Sequence, residues 1–153
     1  MSQSSEESAR LTDALEVAAL GGDLDLCTRL LCQAHCLTPA DLNCVLFRAV
    51  HGDNVDICSR LHRMGARPDT WQMLYLAVAG NDRMCSWLLS VGNTSVGTLL
   101  LILRVAAQEC QMAVFKLILV EFRGVTQNES PLLVRTWLSE VKNPQFHRML
   151  EQA

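Results

Sequence analysis

Apolar residues fall at helical spacing over most of this 153-residue chain, and the pattern returns on itself. Leu26, Leu30 and Leu31 share one face of a predicted helix, and Val55, Cys58 and Leu61 share the matching face of another. The repetition is sharpest in a heptapeptide that occurs twice, 31 residues apart: Leu24-Asp25-Leu26-Cys27-Thr28-Arg29-Leu30 and Val55-Asp56-Ile57-Cys58-Ser59-Arg60-Leu61. Every position is identical or chemically close. The first copy extends back through Leu15 to Asp23 and the second through Leu46 to Asn54. A third copy overlies Leu74 to Asp82 and then Met84 to Leu89; a fourth overlies Leu103 to Cys110 and then Val114 to Leu119. With Ala18, Ala49, Ala77 and Ala106 taken as equivalent, the spacings are 31, 28 and 29. Self-similarity at this period predicts a row of helical hairpins.

Each copy reads as a short helix, a tight turn, a second helix and a loop. The first helix carries small residues (Ala18-Ala19, Ala49-Val50, Ala77-Val78, Ala106-Ala107) where it approaches its neighbour closely. Gly22-Asp23, Gly52-Asp53-Asn54 and Gly80-Asn81-Asp82 mark the turn, because these residues tolerate the left-handed backbone that ends a helix. The second helix ends near Gly65 or Gly92. One such hairpin cannot bury its apolar face alone, but stacked neighbours can. The expected units are about 13–35, 43–66, 72–92 and 99–122, within a repeat region of 12–123. Residues 1–11 are expected to form a flexible, acidic, serine-rich tail, with Thr12 capping the first helix. Residues 130–152 are expected to supply capping helices: Pro131 opens one running to about Val141, Lys142-Asn143-Pro144 breaks it, and a last one runs to Gln152. Leu133, Trp137, Phe146, Met149 and Leu150 give this pair an apolar face.

The unit resembles the ankyrin repeat, over roughly residues 13 to 122. The second copy carries the resemblance best, through Leu46, Ala49-Val50, Asp56-Ile57 and Gly65-Ala66-Arg67-Pro68-Asp69. The family's Thr-Pro-Leu-His opening is absent, Asp53, Asn81 and Cys110 stand where it favours glycine, and the units are shorter than its 33 residues. The resemblance implies an all-α, helical-hairpin solenoid of about four repeats plus a C-terminal helical cap. It also implies partner binding through the first helices and the inter-repeat fingers. Carried over residue by residue, the first-helix positions are Leu20, Arg48, His51, Ala79, Gln108 and Glu109. The finger positions are Asp41, Arg67, Pro68, Asp69, Thr70, Trp71, Gln72 and Asn93. Arg48, His51, Arg67, Asp69, Trp71, Gln72, Gln108 and Glu109 are therefore the expected partner-binding residues. Trp71 is the leading anchor, since Trp and Arg dominate binding hot spots, against the alternative that it packs near Tyr75.

Composition narrows the picture. Half the residues are hydrophobic and 19% are charged, so the chain has material for a core. A net charge of −3 and no basic stripe argue against nucleic acid or an anionic membrane as partner. The longest apolar run, Val96 to Leu103, is too short to span a bilayer and predicts a buried helix. Seven cysteines and a polar N-terminus without a secretory signal predict a reducing compartment, cytoplasmic or nuclear. Cys27, Cys32, His35, Cys36 and Cys44 form the densest metal-like cluster, but Cys27 recurs as Cys58 within the heptapeptide and so reads as core. No phosphate-binding loop or nucleophile signature is present. No cofactor or metal is implied.

The expected function is non-catalytic: a monomeric, intracellular protein-interaction module that binds one protein partner through its concave face and inter-repeat turns and thereby inhibits or scaffolds it. Alternatives of the same class are a substrate receptor of a ubiquitin ligase, docking through Leu132-Leu133-Val134 and Trp137-Leu138, and a pathogen-encoded ankyrin mimic. A zinc- or cysteine-dependent protein using residues 27–44, and a self-assembling dimer, are alternatives of other classes.

Overall fold

The computed structural model describes residues 2–34, 37–92, 94–139, 141, 143, 144 and 148, and its described secondary structure is entirely helical. The described helices are α1 (Ser2–Gly21), α2 (Leu24–Gln33), α3 (Pro39–His51), α4 (Val55–Arg63), α5 (Thr70–Ala79), α6 (Asp82–Val91), α7 (Val96–Gln108), α8 (Met112–Thr126) and α9 (Pro131–Leu138). They fall into two compact units, Met1–Asp69 and Thr70–Ala153. In the first unit α1 packs on α3 and α2 on α4; in the second α5 packs on α7 and α6 on α8.

The same turn joins the two helices of each hairpin. A left-handed residue ends the first helix: Gly22 at φ 78°, Asp53 at 58°, Gly80 at 73° and Cys110 at 56°. The next residue sends its N–H five residues back, from Asp23 to Ala18 O (3.0 Å), Asn54 to Ala49 O (3.0 Å), Asn81 to Leu76 O (3.1 Å) and Gln111 to Ala106 O (2.8 Å). These bonds satisfy carbonyls that a helix end otherwise leaves open. The same residue is extended, with ψ between 82° and 89°, and becomes the N-cap of the second helix. Asp53 and Cys110 hold the left-handed conformation with a side chain, at a cost of about 1 kcal/mol each.

The turn corrects the register of the third copy. Its left-handed residues are 31, 27 and 30 apart, and Leu76, not Ala77, offers the equivalent carbonyl. Gly80 takes the left-handed place, so Asn81 is a helix cap rather than a glycine substitute. The core follows the same count: five residues after the left-handed position stand Cys27, Cys58, Cys85 and Phe115, each no more than 1% exposed.

Side-chain amides tie successive hairpins together. Asn54 Nδ2 donates to Ala19 O at 3.0 Å, joining the α3–α4 turn to α1–α2. Gln111 Nε2 donates to Val78 O at 3.4 Å, joining α7–α8 to α5–α6. Asn143 Nδ2 donates to Ala107 O at 2.8 Å and so lies against the α7–α8 turn as Asn54 lies against the first. Asn54 and Gln111 leave their own helices without a side-chain cap, whereas Asp23 and Asn81 cap Leu26 and Met84. Close approach fixes the neighbouring residue too: a Cβ on Gly22 would sit 2.8 Å from Asn54 Oδ1.

The helices α3 and α7 start before the expected units 43–66 and 99–122 do. Thr38 caps α3 in a reciprocal capping box with Asp41, with Pro39 at the first position, and Ser95 caps α7 through the Thr98 N–H. Residues 2–11, expected as tail, belong to α1, and Thr12 is no cap: its hydroxyl donates to Ser8 O within the helix at 2.9 Å. At the other end α9 stops at Leu138 rather than Val141; Trp137 meets Phe122 edge-on at 6.2 Å, and Val141 is fully buried. The last expected helix, 144–152, lies largely outside the described residues, with Phe146, Met149 and Leu150. No helix among the described residues is long and apolar enough to cross a membrane.

Candidate binding face

Counting back from each left-handed turn residue identifies the outer face of the first helices. Positions nine, five and two residues before it lie on one helical stripe: Asp13, Val17 and Leu20 on α1; Cys44, Arg48 and His51 on α3; Trp71, Tyr75 and Val78 on α5; Leu101, Val105 and Gln108 on α7. All are exposed except Val105, which is half-buried.

The stripe differs between the two units. In the first it is mixed: Arg48 Nε lies 3.4 Å from Glu16 Oε2, and the Phe47 and His51 rings are 6.5 Å apart beside them. An ion pair this exposed contributes little to stability, so its charges remain available for recognition. In the second unit the stripe is an apolar and aromatic ridge. Trp71 is 76% exposed, Val78 46%, Tyr75 42% and Leu101 41%, with Arg104 exposed on α7 alongside. α5 and α7 pack side by side, so these side chains share one surface. They project outward while Met73, Leu76, Ala77, Ile102 and Ala106 fill the core from the same helices.

The eight expected partner-binding residues are divided equally between the two units, four in each. Arg48 and His51 stand together on α3, and Gln108 and Glu109 at the end of α7. Arg67 closes its own loop: its guanidinium donates to Ala66 O (3.1 Å) and His62 O (3.3 Å), and its N–H donates to Asn43 Oδ1 (2.9 Å). Asp69 is exposed just before α5, and Trp71 is the most exposed of its stripe. Gln72 is a correction. It is 3% exposed, because it stands eight residues before the left-handed turn, the inward register it shares with Val45 and Ile102. Thr70, Trp71 and Gln72 belong to the first turn of α5, not to an extended finger; Asn93 lies outside the described residues. Tyr75, Val78, Leu101 and Phe47 were not among the expected residues, although Tyr75 and Val78 stand at helical spacing from Trp71, Leu101 from Gln108 and Phe47 from His51.

The cysteines separate by register. Cys27, Cys58 and Cys85 are buried at the same place in α2, α4 and α6. Burial, with Asp53 and Asp82 adding to it, pushes the Cys58 and Cys85 thiols up to about 12; burial beside Asp23 raises Cys27 as well. Such groups are neutral thiols at physiological pH and poor nucleophiles or ligands. Cys32 and Cys44 are exposed, and His35 and Cys36 lie outside the described residues. Among the described residues no three His, Cys, Asp or Glu side chains converge on one point.

No protein-family model matches the chain, and no curated protein is detectably similar to it in sequence.

Proposed function

We propose that this chain is a non-catalytic protein-binding module, built as an ankyrin-like array, that holds one partner against the outer stripe of its first helices and thereby inhibits or scaffolds it. The observation that carries the reading is the ridge of Trp71, Tyr75, Val78 and Leu101. Four large apolar side chains held outward on two packed helices form a contiguous patch of the kind that marks an interaction site. Rigid helices present them with little entropy left to lose on binding. The recurring turn, the stacked hairpins and the Thr38-Pro39 opening of α3, which matches the first half of the family's Thr-Pro-Leu-His, support the ankyrin-like reading. A cytoplasmic or nuclear setting and a monomeric state belong to the same proposal, as does the absence of catalysis, supported by the core register of Cys27, Cys58 and Cys85.

One observation favours a second reading. Leu132 is 74% and Leu133 40% exposed on α9, which suits an adaptor that docks a second protein through its C-terminal helices. Affinity capture separates the two. A Trp71→Ala/Leu101→Ala variant that melts like wild type is expected to lose the partners, and Leu132→Ser to keep them. Retention by the first variant with loss by the second would transfer the function to α9.

A further inference from the structure

In the first unit the stacking surface of α1–α2 is largely uncovered among the described residues. α3 meets α1 through the stripe Val45, Ala49 and Gly52: Val45 and Ala49 are fully buried, and a Cβ on Gly52 would lie 2.5 Å from Leu20 O. Asn54 adds its amide bond to Ala19 O, and Ile57 of α4 is 1% exposed. In the second unit the same positions are Ile102 and Val114, both fully buried. In α1–α2 the corresponding residues are Ala14, Ala18, Gly21, Asp23 and Leu26; Ala18 is 5% exposed and the other four are exposed. Ala14 is exposed, Leu26 is 36% exposed, and no atom lies within 4 Å of a Cβ on Gly21. Together with Asp13 and Val17 they line an open groove of about 550 Å³.

The groove carries the geometry of a stacking edge with different polar chemistry. Where Asn54 and Gln111 present a donor to the neighbouring hairpin, Asp23 presents a carboxylate, which accepts the Leu26 N–H and cannot donate. Asp13 stands at the other side of the groove. Further along the same stripe of α1 are Glu6 and one cation, Arg10. An occupant must therefore bring an apolar helical face for Ala14, Val17 and Leu26, with cations or donors at its margins for Asp13 and Asp23.

We propose that the free edge of α1–α2 docks a basic amphipathic helix of a partner protein, laid against α1–α2 in the place a preceding hairpin would occupy. This surface shares Asp13 and Val17 with the outer stripe of α1 but no residue with the ridge of Trp71, Tyr75, Val78 and Leu101, so it stands or falls without that ridge.

Fluorescence anisotropy with a labelled Leu/Lys amphipathic helical peptide, beside its Leu/Glu counterpart, tests it on the full chain. The Leu/Lys peptide is expected to bind and the Leu/Glu peptide to bind far more weakly. Asp13→Asn/Asp23→Asn, in which residue 23 keeps its capping oxygen, is expected to weaken binding about tenfold, roughly threefold for each exposed charge removed. Gly21→Phe, which fills the groove without changing charge, is expected to weaken it as much. Asp56→Asn/Glu121→Gln, an equal loss of charge elsewhere, is expected to leave binding unchanged. Matching melting curves establish that all variants are folded. The proposal is overturned if the groove variants bind like wild type, or if the distant charge pair weakens binding equally, which would leave only net-charge attraction. It is also overturned if sedimentation shows a dimer that Gly21→Phe dissolves, which would give the edge to a second copy.

Discussion

Gly22→Ala and Asn54→Ala form a double-mutant cycle that tests whether adjacent hairpins are locked through their turns. Asn54 Nδ2 donates to Ala19 O at 3.0 Å from a partly buried position and makes no cap bond in its own helix. Asn54→Ala therefore removes one neutral hydrogen bond, about 1 kcal/mol. Gly22 sits at φ 78°, where an alanine costs about 1 to 2 kcal/mol in strain. Its Cβ would also stand 2.8 Å from Asn54 Oδ1 and force that side chain off its bond, adding about 1 kcal/mol more. In the Asn54→Ala background there is no such bond to break, and only the strain remains. The two substitutions should then cost about 1 kcal/mol less together than the sum of their separate costs. Urea unfolding followed by far-UV circular dichroism measures each corner of the cycle. Additivity to within about 0.3 kcal/mol would refute the lock.

Four further outcomes are expected. Cys110→Gly relieves a left-handed side chain at φ 56° and should raise stability by about 1 kcal/mol in thermal or urea unfolding, provided the 4.0 Å contact of Asn143 with the sulfur is weak. Cys58 and Cys85 should resist iodoacetamide at pH 8 in the folded chain while Cys32, Cys44 and Cys110 react, as read by mass spectrometry. The same raised thiols set a pH dependence. Below pH 9 they are protonated in both states; above it the unfolded chain ionises and the folded one does not, so stability should fall until about pH 12. Gln72→Glu should destabilise the second unit by at least 1 kcal/mol, because it puts a charge at a site only 3% exposed, whereas Trp71→Ala should leave unfolding within about 0.5 kcal/mol of wild type.

The heptapeptide and the small-residue pairs were enough to read helix pairs, turns and the burial of Cys27 and Cys58, because packing in a repeated unit constrains the same positions each time. The third register slipped by one residue because Ala77 and Leu76 are both buried, and apolar pattern alone does not say which carbonyl the turn will use. The helix start at Pro39 was missed because its cap, Thr38, is polar and precedes the apolar run. Gln72 misled for the opposite reason: a polar residue in an inward register looks like surface until the turn fixes the count. The ridge was legible through Trp71 and the helical spacing of Tyr75 and Val78 from it, but by residue type alone Tyr75, Val78 and Leu101 are indistinguishable from core residues.

Hydrogen–deuterium exchange on the complex with a captured partner is the most direct test of the proposed binding face. The account predicts slowed exchange on partner binding across 71–78 and 101–108, the segments that carry Trp71, Tyr75, Val78 and Leu101, with α6 and α8 unchanged. Protection confined to α6 and α8, with 71–78 and 101–108 exchanging as in the free chain, would contradict it.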